Sequence, residues 1–74
     1  MIITTEQLKE IATAGGGFTI DASTMTFNQL RDIVGGANLG KAKITIKNIS
    51  GLTGFQLKEL ASLAPGLVVF DITN

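Results

Sequence analysis

The chain has no cysteine, histidine, tryptophan or tyrosine, and one proline. Without cysteine there are no disulfides and no thiol nucleophile, and without histidine there is no imidazole acid–base chemistry. Zinc sites built from Cys and His are excluded by the same absences. Charge is scarce and balanced: six Lys plus Arg against six Asp plus Glu leave a formal net charge of zero. A balanced surface gives no general attraction to nucleic acid or to an anionic membrane. No long apolar run exists; the longest, Leu67-Val68-Val69-Phe70, is far too short to cross a bilayer. The opening segment, MIITTEQLKE, lacks the basic and apolar regions of a secretory signal, so the Asn48-Ile49-Ser50 sequon carries no meaning here and a cytoplasmic protein is expected.

What remains is apolar enough to fold. Apolar residues make up 45% of the 74 positions and charged residues 16%, which excludes disorder and allows one domain, residues 1–74. A domain of this size buries only about 60% of the surface its unfolded chain exposes. With no disulfide framework and no cofactor or metal site in the sequence, association with another chain is the expected supplement.

Self-similarity organises the sequence. Ile3-Thr-Thr-Glu-Gln-Leu-Lys-Glu-Ile-Ala12, Met25-Thr-Phe-Asn-Gln-Leu-Arg-Asp-Ile-Val34 and Leu52-Thr-Gly-Phe-Gln-Leu-Lys-Glu-Leu-Ala61 align without gaps. Thr, Gln and Leu are identical in all three, and the basic and acidic columns keep their sign. Each segment is built to start a helix. Thr4, Thr26 and Thr53 stand as N-caps with Gln7, Gln29 and Gln56 three residues on, the spacing of a capping box. Ile3, Met25 and Leu52 precede the caps as hydrophobic staples, and apolar stripes follow at Leu8/Ile11/Ala12, Leu30/Ile33/Val34 and Leu57/Leu60/Ala61. Gly15-Gly16-Gly17, Gly35-Gly36 and Pro65-Gly66 are the expected helix stops.

Alternating runs come next: Phe18-Thr-Ile-Asp-Ala22, Ile44-Thr-Ile-Lys-Asn48 and Val68-Val-Phe-Asp-Ile72. Their apolar face collects Phe18, Ile20, Ala22, Ile44, Ile46, Val68, Phe70 and Ile72. Helix–strand units over roughly 3–22, 25–48 and 52–73 predict an α/β fold with parallel strands. Right-handed crossovers and a single apolar face then require strand order 1-2-3 with all helices on one side, a minimal solenoid. Units of this length and plan resemble leucine-rich repeats and their shorter α/β relatives, and Ile44-Thr-Ile-Lys-Asn48 comes nearest to that family's strand motif. The resemblance implies a scaffold for binding or assembly.

Chemical motifs are few. Gly35-Gly-Ala-Asn-Leu-Gly40-Lys41 fits G-x-x-x-x-G-K, but it follows a helix and precedes a strand, the reverse of a phosphate loop, and Ala42 replaces the Ser or Thr. It is expected to be a lengthened helix stop. Lys41, Lys43 and Lys47 share parity with Thr45 on the solvent face of the central strand. They form either a basic row for an acidic peptide or small anion, or a charge ladder in which Lys47 meets Asp21 and Asp71. The ladder is the preferred reading. As a carboxylate pair, Asp21 and Asp71 would lie about 10 Å apart with Lys47 between them, which keeps both ionised and unsuited to catalysis. Phe27 and Phe55, in the first turns of the second and third helices, are candidate anchors for a partner.

The expected function is therefore non-enzymatic, an interaction or self-assembly module. The candidate surface comprises Thr19, Asp21, Lys43, Thr45, Lys47, Val69 and Asp71 with Phe27 and Phe55, and its alternative use is binding an anionic ligand. The third strand is the most apolar and sits at a sheet edge, where Val69 interrupts the Thr19/Thr45 row. The first unit starts at Ile3 and the last strand ends within two residues of Thr73-Asn74, with no polar cap on either side. A closed two-fold pair is the expected assembly, with head-to-tail stacking into a filament as its alternative.

Overall fold

The computed structural model describes residues 3–72; the expected third unit reaches Thr73, and with Asn74 that residue lies outside them. Three helices, α1 (Thr5–Thr13), α2 (Phe27–Gly40) and α3 (Gly54–Leu63), alternate with three strands, β1 (Phe18–Asp21), β2 (Ile44–Lys47) and β3 (Val68–Phe70). The strands form one parallel sheet in the order β1-β2-β3. Helices pack α1 on α2 and α2 on α3, and the α/β architecture expected from the alternation is present.

Each helix begins at its expected threonine. The Gln7 amide donates to Thr4 Oγ1 at 3.2 Å, and the Thr4 amide donates to Gln7 Oε1 at 3.0 Å. The same reciprocal pair closes at Thr26/Gln29 and at Thr53/Gln56. Two otherwise unpartnered backbone donors are satisfied at every helix start.

The helix ends differ from expectation at one place. α1 ends at Thr13 and the chain turns at Gly15, whose φ of +99° a side chain would strain, and Pro65-Gly66 turns the chain after α3 with Gly66 at +79°. Gly35-Gly36, expected to end α2, lies inside it, and the helix runs to Gly40. The reason is helix contact. A Cβ on Gly36 would stand 2.9 Å from Thr13 Oγ1 and 3.1 Å from the Lys9 carbonyl oxygen. One on Gly40 would stand 2.5 Å from the Thr13 carbonyl oxygen. Glycines four apart share a helix face, and here they let the α2 backbone close on α1. Lys41 takes the left-handed conformation instead, at φ 58°, and Ala42 N–H closes the end on the Ala37 carbonyl at 2.9 Å. Gly16 N–H closes α1 on Ile11 in the same way.

β1 and β2 end earlier than expected because 3₁₀ turns follow them, and β3 ends at Phe70, short of the expected Ile72. Ala22–Thr24 follows β1 and Ile49–Gly51 follows β2, the latter entered through Asn48 at φ 56°. Register aligns Phe18, Ile44 and Val68, then Thr19, Thr45 and Val69, then Ile20, Ile46 and Phe70.

The core belongs to the middle unit. Of the largest fully buried side chains, Leu30, Ile33, Val34, Ile44 and Ile46 all lie in α2 or β2, and only Leu60 lies elsewhere. The stripe and face expected for the outer units are incompletely covered: Ile11 is 40% exposed and Ile72 is 76% exposed. An apolar face of a short unit is sealed by neighbours on both flanks, and the outer units have one neighbour each.

Two outcomes follow for chemical denaturation. Gly35→Ala, whose Cβ meets nothing within 4 Å, should stabilise by about 0.5–1 kcal/mol, whereas Gly40→Ala should cost about 1–3 kcal/mol. Equal effects at the two positions would contradict the close α1–α2 approach. For the capping box, Thr26→Ala and Gln29→Ala should each cost about 1 kcal/mol, and the double variant less than their sum. Strict additivity would mean that the two bonds act independently.

Candidate functional site

The helix-free face of the sheet carries the expected row. Thr19 and Lys43 are exposed, Thr45 is half-buried between its neighbours, and Lys47 is exposed opposite Asp21. Val69 continues the Thr19/Thr45 row and is 40% exposed. Asp71 follows β3, and its amide donates to the Ile46 carbonyl at 2.9 Å.

Asp21 has closer partners than the expected ladder supplies. Its Oδ1 accepts from the Ser23 amide at 2.9 Å and from Ser23 Oγ at 2.6 Å, while Oδ2 accepts from Asn48 Nδ2 at 2.9 Å. The carboxylate thereby caps the 3₁₀ turn after β1 and ties it to Asn48 at the entry of the turn after β2. These bonds hold its pKa below the ordinary value of 3.8: the Ser23 hydroxyl contributes most, then the Ser23 amide and Asn48, with the Lys47 charge a smaller aid and partial desolvation opposing. The Lys47 charge thus does less for Asp21 than the hydrogen-bonded turn does. Asp-x-Ser before a turn is a readable capping signal, and it was masked by the period-two pattern through residue 22.

The two phenylalanines separate. Phe27 is half-buried against the core, with the Arg31 guanidinium 6.0 Å from its ring centre. Phe55 is 76% exposed on α3. An ion pair that sequence pattern alone did not single out joins the helices, Arg31 Nε to Glu59 Oε2 at 3.1 Å. Its signal was present in the basic and acidic columns of the aligned segments.

An open groove of about 690 Å³ lies at the carboxyl ends of β1 and β2, between the two 3₁₀ turns and the starts of α2 and α3. Met25, Phe27, Leu52, Asn48, Ser50 and Gln56 contribute to its lining, and no charged side chain does. Ligands of open α/β sheets sit at this end of the strands, yet the groove has neither acid nor base in its lining, and the capping boxes already occupy the Thr26, Gln29, Thr53 and Gln56 amides beside it. Gly35 to Gly40 are helical, so the G-x-x-x-x-G-K segment forms no phosphate cradle. Among the described residues no group of three or more acidic side chains is arranged to hold a metal ion, and no helix is long and apolar enough to cross a membrane. No protein-family model, curated protein or solved structure matches the chain.

Because the folded-state pKa of Asp21 is lowered, its stabilising contribution is complete above about 3.8 and is lost as pH falls through the folded value. The stability difference between wild type and Asp21→Asn, measured by denaturation against pH, should stay constant near neutrality and shrink in acid below that point. A difference that is flat across the acid range would show that ionisation of Asp21 does not support the turn.

Proposed function

We propose that this protein is a non-enzymatic interaction module that engages other protein surfaces through the open flanks of its sheet and helix layer, self-association included. The observation that carries this reading is the exposed apolar character of the third unit's edge. β3 borders the sheet, Val69 is exposed on its solvent face, and Ile72 stands free beyond it. Natural edge strands are commonly protected by lysine, proline or a covering element, and neither residue occurs within Val68–Phe70. Three like units stacked side by side fit a minimal solenoid of the kind that leucine-rich repeats build, and the cysteine-free composition suits a reducing cytoplasmic compartment. Binding of an anionic ligand at Lys43 and Lys47 is less well supported, since Asp21 stands opposite Lys47 in register.

Sedimentation velocity of the 74-residue chain from micromolar to millimolar concentration tests the reading. Association should rise reversibly with concentration and depend weakly on salt, because apolar burial drives it. A chain that stays monomeric throughout would contradict it.

A further inference from the structure

The two flanks of the molecule are unlike, and they are complementary. In the aligned column of Ile11, Ile33 and Leu60, the latter two are fully buried while Ile11 on α1 is exposed. In the strand column of Ile20, Ile46 and Phe70, the first two are buried while Phe70 on β3 is only half-buried. One flank therefore offers a helix whose apolar side lacks a neighbour, and the other offers a strand whose apolar face lacks full cover.

The backbone edges match as well. Ile44 N–H donates to the Leu67 carbonyl at 2.8 Å, and Asp71 N–H donates to the Ile46 carbonyl at 2.9 Å. Leu67, Val69 and Asp71 thus turn their peptide groups toward β2, and strand alternation points those of Val68 and Phe70 outward. The same alternation turns Thr45 and Lys47 toward Phe18 and Ile20 of β1, leaving the Thr19 peptide groups on the opposite outer edge. A β1 strand laid parallel beside β3 can repeat the existing register, with Phe18 opposite Val68 and Ile20 opposite Phe70.

The aligned charge columns add a third match. Arg31 on α2 pairs with Glu59 on α3. Lys58 occupies the aligned position of Arg31, and Glu10 that of Glu59; both are exposed. A second α1 placed beside α3 brings Glu10 to Lys58 and repeats the pair.

From these three matches we infer that the partner is a second copy of this chain added head to tail, its β1 edge pairing in parallel with β3 and its α1 packing beside α3. The inference rests on the interaction reading above and specifies its partner. Two-fold pairing sets like against like, so it cannot bring the α1 flank to the β3 flank. The head-to-tail contact is heterologous and extends to a ring or a filament.

Two edge-blocked variants test it. Thr19→Pro removes an outward amide from β1, and Val68→Pro removes one from β3; neither amide bonds within the sheet by the alternation above, and proline is tolerated at such edges. Each variant alone should sediment as a monomer at concentrations where the wild type associates, and an equal mixture should form a one-to-one pair. Glu10→Lys and Lys58→Glu provide a second arm that leaves the strands untouched. Each should weaken association several-fold, and mixing them should restore association, because both unlike junctions then set opposite charges together. If either proline variant alone associates as the wild type does, or if both mixtures remain at the level of their separate components, the head-to-tail contact is wrong while the interaction reading stands. A wild type that is monomeric at every concentration overturns both.

Discussion

Everything in this molecule depends on one constraint: a helix–strand unit of some twenty residues has an apolar face that it cannot close by itself. The middle unit closes because it has a neighbour on each side, and the fully buried Leu30, Ile33, Val34, Ile44 and Ile46 record that. The outer units close halfway. Packing between α1 and α2 is tightened by Gly36 and Gly40, where removing the side chain lets two backbones meet. Helix propensity opposes glycine at these positions by about 1 kcal/mol each, so the contact must offset a local preference for a different structure.

Much of this was legible in the residues. The Thr/Gln spacing located all three helix starts, and period two located all three strands and their faces. Order 1-2-3 followed from having one apolar face and right-handed crossovers. The end of α2 was not legible, because Gly35-Gly36 reads identically as a stop signal and as a close-contact pair; tertiary packing decides between them, and local sequence does not carry it. The 3₁₀ turns were hidden for a related reason. Ala22 continues the alternation of β1, while it in fact opens a turn that Asp21 caps through Ser23 and ties to Asn48 of the next unit. Among the candidate surface residues, parity placed Thr19, Thr45 and Val69 correctly in one row. It could not foresee that Asp21 would spend its carboxylate on a turn, or that Phe27 would sink against the core while Phe55 stayed out.

The functional reading grows from the same constraint. The groove at the strand ends has no charged side chain in its lining, Gly35 to Gly40 are helical, and the Asp21 carboxylate is bonded to Ser23 and Asn48. Incomplete burial at the flanks is what distinguishes this small fold. A helix flank with exposed apolar area at Ile11 and a β3 edge whose Val68 and Phe70 peptide groups face away from β2 are the features on which the proposed contact rests.

The central claim is that the outer peptide groups of β3 await another chain. Native-state amide exchange of the wild type, followed residue by residue at low and high protein concentration, tests it most directly. The account predicts β2 amides that exchange slowly at all concentrations, with Val68 and Phe70 exchanging rapidly when dilute and slowing as concentration rises. Val68 and Phe70 amides that are fully protected in dilute monomer, or that exchange rapidly at every concentration, would contradict it.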